Sequence, residues 1–160
     1  MRIAIWTLLL TFALDQASKW AVVVGMELRE RLVIDVLPPW IHFTMAWNRG
    51  VNFGLFASES ELLRWILIAL AVAISAAVWI WVRREGAQPM MQLSAGLLIG
   101  GALGNALDRI VWGAVADFLN VTCCGIRNPY AFNVADVAIF AGAVGLLLFS
   151  GTKPDRKNAP

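Results

Sequence analysis

Four aspartates stand in or beside apolar runs, where an ionised side chain has a strong reason not to be: Asp15, Asp108, Asp117 and Asp136. A charge at a bilayer centre costs at least ~3 kcal/mol, so such residues are functional candidates by default. Two carboxylates sharing a partly desolvated site cannot both ionise easily, and one retains a proton. The ionised member can take a proton from water while the protonated member polarises a carbonyl. That is the chemistry of an aspartic protease, with pKa values that belong to the pair.

Other chemistries find fewer residues. With His42 the only histidine, a zinc site lacks obvious ligands, no serine–histidine pair stands near the aspartates, and no metal or other cofactor is expected. The adjacent Cys123 and Cys124 cannot make a disulfide framework, and nothing around Cys123 resembles a nucleophile motif.

Each aspartate also has a plain structural explanation. Asp15 and Lys19 are four apart, on one helical face, and can pair as ions. Asn105, Asp108 and Arg109 follow one another at one-turn spacing, and an Asp–Arg pair at a membrane edge serves as a clamp or a snorkelling anchor. Asp117 lies in a loop stretch, GAVADFLNV, where an aspartate is ordinarily solvated or caps a turn. Asn133 is a good helix N-cap, and Asp136 falls where a capping-box carboxylate belongs. Taken singly, none makes a catalytic case.

The elements that must position these residues are membrane spans. Apolar residues make up 59% of the 160 positions and charged ones 15%, too apolar for an ordinary soluble domain. The formal net charge of +2, without a basic block, argues against nucleic acid. Four apolar segments stand out, at about 3–24, 62–82, 90–107 and 134–149. As helices they rise ~24–33 Å, the shorter ones marginal for a ~30 Å core. The first is too long for a secretory signal, carries Asp15 and Lys19, and is read as retained. Gly96, Gly100 and Gly104 form a ridge that lets another helix approach closely.

Basic residues set the orientation. Arg2, Arg83-Arg84, and Lys153, Arg156 and Lys157 all fall on one side of an even number of spans, assigned to the cytoplasm. The loops 25–61 and 110–133 then lie outside. In WIHFTMAWN (40–48) apolar residues at 41, 43, 45 and 47 alternate with His42 and Thr44, which predicts a strand, and a second is predicted around 115–121. The fold expected is an all-α polytopic membrane protein of four transmembrane helices, N-in/C-in. It forms a single membrane-embedded domain over 1–160, with a small β-sheet and loop on the extracytoplasmic face.

With that topology the polar residues converge. Asp15–Lys19 occupy the outer half of the first span, Asn105–Arg109 the outer end of the third, Asp117 the loop beyond, and Asp136 the start of the fourth. Asn48, Asn52 and nearby glycines lie on the same side. Unrelated caps and clamps have no need to share one leaflet. The rival from another class is a small four-helix proton-coupled transporter, but such proteins place their acid mid-span and have short loops. A non-catalytic scaffold leaves the clustered carboxylates unexplained.

The residues also carry a resemblance. DQASK (15–19), NRGVNFG (48–54), GGALGNALDR (100–109), VADF (115–118) and FNVAD (132–136) resemble, in order, the five signature blocks of lipoprotein signal peptidase, or signal peptidase II. The resemblance implies an aspartic endopeptidase of the bacterial inner membrane, working near the periplasmic leaflet. It would cleave signal peptides from prolipoproteins just before a diacylglyceryl-modified cysteine. It places the catalytic pair on Asp117 and Asp136. Asn105 and Arg109 match positions near the substrate, and Asp15, Lys19, Asn48, Gly50, Asp108 and Asn133 fall at supporting positions in or beside the blocks. Prolipoproteins, membrane lipids and globomycin-type inhibitors are the implied partners, and a monomer is expected.

Overall fold

The computed structural model describes residues 1–50, 61–85, 88–122 and 128–150. Val51–Gly54 of the NRGVNFG block, Cys123 and Cys124, and the basic tail from 151 onward lie outside the described residues.

The chain runs α1 (Arg2–Lys19), a π-helical turn (Trp20–Gly25), α2 (Leu28–Arg31), β1 (Val33–Leu37), β2 (Ile41–Asn48), α3 (Glu61–Arg84), α4 (Pro89–Trp112), β3 (Val115–Val121) and α5 (Val134–Phe149). Local sequence fixes the helix ends. Pro89 begins α4, where its missing N–H costs nothing, and Gly113 at φ 79° ends it. Asn133 caps α5 in a complete capping box with Asp136, as its sequence predicts.

Three stretches, Arg2–Gly25, Glu61–Arg84 and Pro89–Trp112, are long and apolar enough to cross a membrane, while α5 is a shorter apolar helix of 16 residues. Their outward faces are those of a membrane protein: Trp6, Leu10, Leu62, Phe140 and Leu147 are all exposed. Burying the polar residues instead leaves the apolar ones for lipid.

The most enclosed helix, α4, is central. Its glycine ridge faces α1: a Cβ on Gly96 would lie 2.7 Å from the Ala4 carbonyl, and one on Gly100 would lie 2.7 Å from that of Leu8. Near one end, Val82 of α3, Met91, Ala95, Leu98 and Ile99 of α4, and Leu146 of α5 form an apolar cluster, with Met1 packed against it. The end of α3, the start of α4, the end of α5 and the start of α1 therefore meet there. The opposite end holds the polar residues and the sheet.

The sheet is antiparallel, in the order β1–β2–β3. Phe43 and Met45 of β2 pack towards Val22, Leu28 and Phe118, and the Phe43 and Phe118 rings meet edge-on at 5.5 Å. This bears out the strand read over 40–48, although residues 41–47 are all half-buried rather than alternating. Three boundaries differ from the sequence reading. The first span closes through a π-helical turn rather than running as a regular helix to Val24. The third continues past Leu107 to Trp112, because Gly113 is its first residue at positive φ. β1 and α2 occupy a segment read only as loop.

Candidate active site

Three elements bring Asp117 and Asp136 together. β3 carries Asp117 opposite Ala46 of β2, which places Asn48 of β2 within reach. Asp117 is 4% exposed. Its Oδ2 accepts from Asn48 Nδ2 at 3.1 Å and its Oδ1 from Asn133 Nδ2 at 2.6 Å. Gly50, at φ 126°, donates its N–H to Asn48 Oδ1 at 3.1 Å, which leaves the amide's N–H groups for Asp117.

Asp136 stands in the first turn of α5. Its Oδ2 accepts from the Asn133 backbone N–H at 3.2 Å and its Oδ1 from Asn105 Nδ2 at 2.9 Å. The capping box is real, but it does not use up the carboxylate. Asn133 is fully buried and joins the pair: its Oδ1 accepts from the Asp136 N–H at 2.9 Å while its Nδ2 serves Asp117. Burial first, and then the negative charge of Asp136, push the Asp117 carboxyl up from 3.8 to about 6, against its hydrogen bonds to Asn48 and Asn133.

Behind the pair lies a cluster of charges with no exposed surface. Lys19 Nζ reaches Asp15 Oδ2 at 2.8 Å, Asp108 Oδ2 at 2.6 Å and Asn105 Oδ1 at 3.0 Å. The Asp15–Lys19 pair expected from the spacing is present. Asp108, however, pairs with Lys19 and not with Arg109, its neighbour on the helix. Successive residues of an α-helix point about 100° apart, so the two cannot turn to one partner. Gln16, which its residue type did not single out, completes the cluster by donating to Asp15 at 3.1 Å and Asp108 at 2.9 Å.

The two rear carboxylates have parallel duties. Asp15 Oδ1 accepts the N–H of Ala135 at 2.9 Å, and Asp108 Oδ2 accepts that of Ala116 at 3.3 Å. Each grips the residue immediately before one of the paired aspartates. Gly104 also does more than pack: a Cβ there would lie 2.5 Å from Asp15 Oδ2, so its bareness makes room for the carboxylate. Arg109 donates from Nη1 to the Asn105 carbonyl at 3.2 Å, and its buried Nε has no partner among the described residues. It adds a positive charge within electrostatic range of Asp117 and Asp136.

Comparison with known proteins places the chain in a family. The family model for signal peptidase (SPase) II matches residues 7–151. The chain belongs to the signal peptidase II family. It is 46% identical over 146 residues to a lipoprotein signal peptidase of Methylorubrum extorquens, covering 89% of this chain and 82% of that protein. A lipoprotein signal peptidase of Methylobacterium radiotolerans is 41% identical over 160 residues, covering 98% and 90%. The fold matches that of a bacterial membrane enzyme solved by the in meso method at 1.9 Å, with a TM-score of 0.77 at 23% identity and 96% of each chain covered. A second such structure, at 2.3 Å, gives 0.75 at 24% identity, covering 100% of this chain and 96% of that one. As a signal peptidase II the chain is a membrane aspartic peptidase. The transporter reading is left without support.

Proposed function

We propose that Asp117 and Asp136 are the catalytic pair of an endopeptidase that cleaves diacylglyceryl-modified prolipoproteins immediately before the lipidated cysteine. The observation that carries the assignment is Asn133, a single buried amide hydrogen-bonded to both residues. A group so placed fixes two carboxyls relative to each other, which water activation requires. Asp117 holds the pair's proton, consistent with its raised value of about 6. In the reaction Asp136 takes a proton from water as the oxygen attacks the scissile carbonyl, and Asp117 donates its proton to that carbonyl oxygen. Collapse of the tetrahedral intermediate breaks the C–N bond, and a proton passes to the departing amine.

The remaining residues act on this pair or on the peptide. Asn48, oriented by Gly50, and Asn133 hold Asp117; Asn105 holds Asp136; Asp15, Lys19 and Asp108 anchor the backbone around both. Arg109, whose buried Nε has no partner among the described residues, is the donor best placed for a substrate carbonyl.

The chain forms one domain with four spans, α5 being the shortest. Both termini lie in the cytoplasm, and the site opens at the periplasmic leaflet of the inner membrane. Arg2 and Arg83-Arg84 at the apolar end, opposite the polar cluster, support this orientation. Working as a monomer, the enzyme would take its lipid-modified substrate from the bilayer, and a globomycin-type cyclic peptide would compete for the same site.

The test is cleavage of a lipidated prolipoprotein peptide by purified protein in detergent. Asp117→Asn and Asp136→Asn should each lose at least a thousandfold in kcat while remaining folded, and substantial cleavage by either would refute the pairing. A reporter fused after Lys157 should report the cytoplasm; a periplasmic signal overturns the topology.

A further inference from the structure

Lys19 is fully buried and cationic, in a helix remote in sequence from both aspartates. Its ammonium has three protons and three acceptors: Asp15 at 2.8 Å, Asp108 at 2.6 Å and Asn105 Oδ1 at 3.0 Å. The first two are carboxylates, which suffice to neutralise it. The third is a neutral amide whose other end touches the catalytic pair.

An ammonium donates and never accepts, so whatever faces Lys19 must be an acceptor. That forces the Asn105 oxygen towards Lys19 and its NH2 towards Asp136, where it donates at 2.9 Å. Asn133 Nδ2 adds a weaker vote for the same orientation at 3.2 Å, but that group is committed first to Asp117 at 2.6 Å. With the amide flipped, two donor groups would face each other at Lys19, and an oxygen would face the carboxylate.

We propose that Lys19 is a positioning residue, whose ammonium locks Asn105 in the one orientation that offers an N–H to Asp136, so that α1 sets the protonation balance of the aspartate pair. The inference rests on the assignment of Asp117 and Asp136 as that pair. Among the described residues, the charged groups that bear on it include Asp15 and Lys19 from α1, Asp108 and Arg109 from α4, Asp117 from β3 and Asp136 from α5.

Removing Lys19 alone would leave two buried carboxylates unpaired, and such a protein is expected not to fold. The double variant Lys19→Met with Asp108→Asn lessens this: one buried carboxylate rather than two is left without its counter-ion, and the cluster keeps its net charge of −1. Its kcat/KM should be measured against pH on a lipidated prolipoprotein peptide. Losing a hydrogen bond to a charged acceptor should move the acid limb of the profile up by about one pH unit, a tenfold loss on that limb. A merely structural lysine would lower activity at every pH and leave the limb in place, and that result overturns the proposal.

Should the double variant not fold, the wild-type enzyme decides. With 15N-labelled asparagine, the Asn105 side-chain protons should give two distinct, slowly exchanging resonances that shift across the acid limb. A rapidly averaged pair, or one blind to that titration, overturns the proposal equally. Two further results separate this inference from its foundation. Cleavage by Asp117→Asn or Asp136→Asn removes the pair itself. Inactive Asn variants together with an unmoved limb in the double variant remove only the role of Lys19.

Discussion

Substituting Gly104 by alanine should damage this enzyme more than any other single methyl group on the glycine ridge. The new Cβ would lie 2.5 Å from Asp15 Oδ2, about 0.9 Å inside the 3.4 Å at which ordinary contact begins. The carboxylate cannot retreat freely, because Lys19 and Gln16 hold Oδ2 at 2.8 and 3.1 Å and the Ala135 N–H holds Oδ1 at 2.9 Å. Overpacking costs about 1–3 kcal/mol, and loss of one charged hydrogen bond about 1.5–3 more. A sum of roughly 3–6 kcal/mol is a large share of the ~5–15 kcal/mol that holds a domain together. At about 2–4 °C per kcal/mol, Tm should fall on the order of 10 °C. The eight tryptophans make a fluorescence melt in micelles a direct assay. Because Asp15 positions the residue before Asp136, kcat should also fall at permissive temperature. Gly96→Ala is the control: it strikes the Ala4 carbonyl at 2.7 Å, away from the polar cluster, and should cost stability without altering the pH profile. A Gly104→Ala enzyme melting within about 2 °C of wild type, with full activity, would refute the argument that Asp15 is packed against that surface.

Two titrations give further expectations. Asp117 is raised to about 6, so kcat/KM should decline as pH rises through that value and the pair loses its shared proton; a profile flat from pH 5 to 8 contradicts this. The same shift stabilises the fold fully below about 3.8, and the contribution is lost as pH climbs through about 6. Asn48→Ala removes a hydrogen bond that favours ionised Asp117, so the basic limb should move up; a downward shift would contradict the assigned donor. His42 offers Nδ1 to Asp35 at 2.8 Å and Nε2 to the Pro39 carbonyl at 3.1 Å, both acceptors. Those contacts raise it above 6.5, the Asp35 bond foremost, so its stabilisation is complete below 6.5 and fades as pH rises through the folded value. As the chain's only histidine it gives one NMR titration curve, whose midpoint Asp35→Asn should lower.

What the sequence determined is local or periodic. Continuous apolar stretches mark helices whatever they pack against, which is why the long helices are legible to within about five residues. The capping box of Asn133 and Asp136 closes over three residues, so type and spacing suffice to predict it. Alternation in 41–47 marked β2 because one side of that strand meets a second apolar cluster. β1 had no such signature: four of its five residues are exposed, leaving no buried face to impose a period of two.

Tertiary structure decided the meaning of the buried charges. The spacing of Asp15 and Lys19 predicted an ion pair, but not that Asp15 holds a backbone N–H 120 residues further on. Asp108 and Arg109 read as a couple because they are adjacent, yet Lys19 took Asp108 from another helix. Gly104 read as one more packing glycine until its neighbour proved to be a carboxylate. A buried ion must find partners wherever the fold supplies them, and hydrogen-bonding groups converging from separate helices and a strand leave no periodic trace in the chain. The residues proposed to do chemistry are readable by type, and their pairing rests on Asn133, whose cap bond to Asp136 is local but whose bond to Asp117 exists only once α5 and β3 have met.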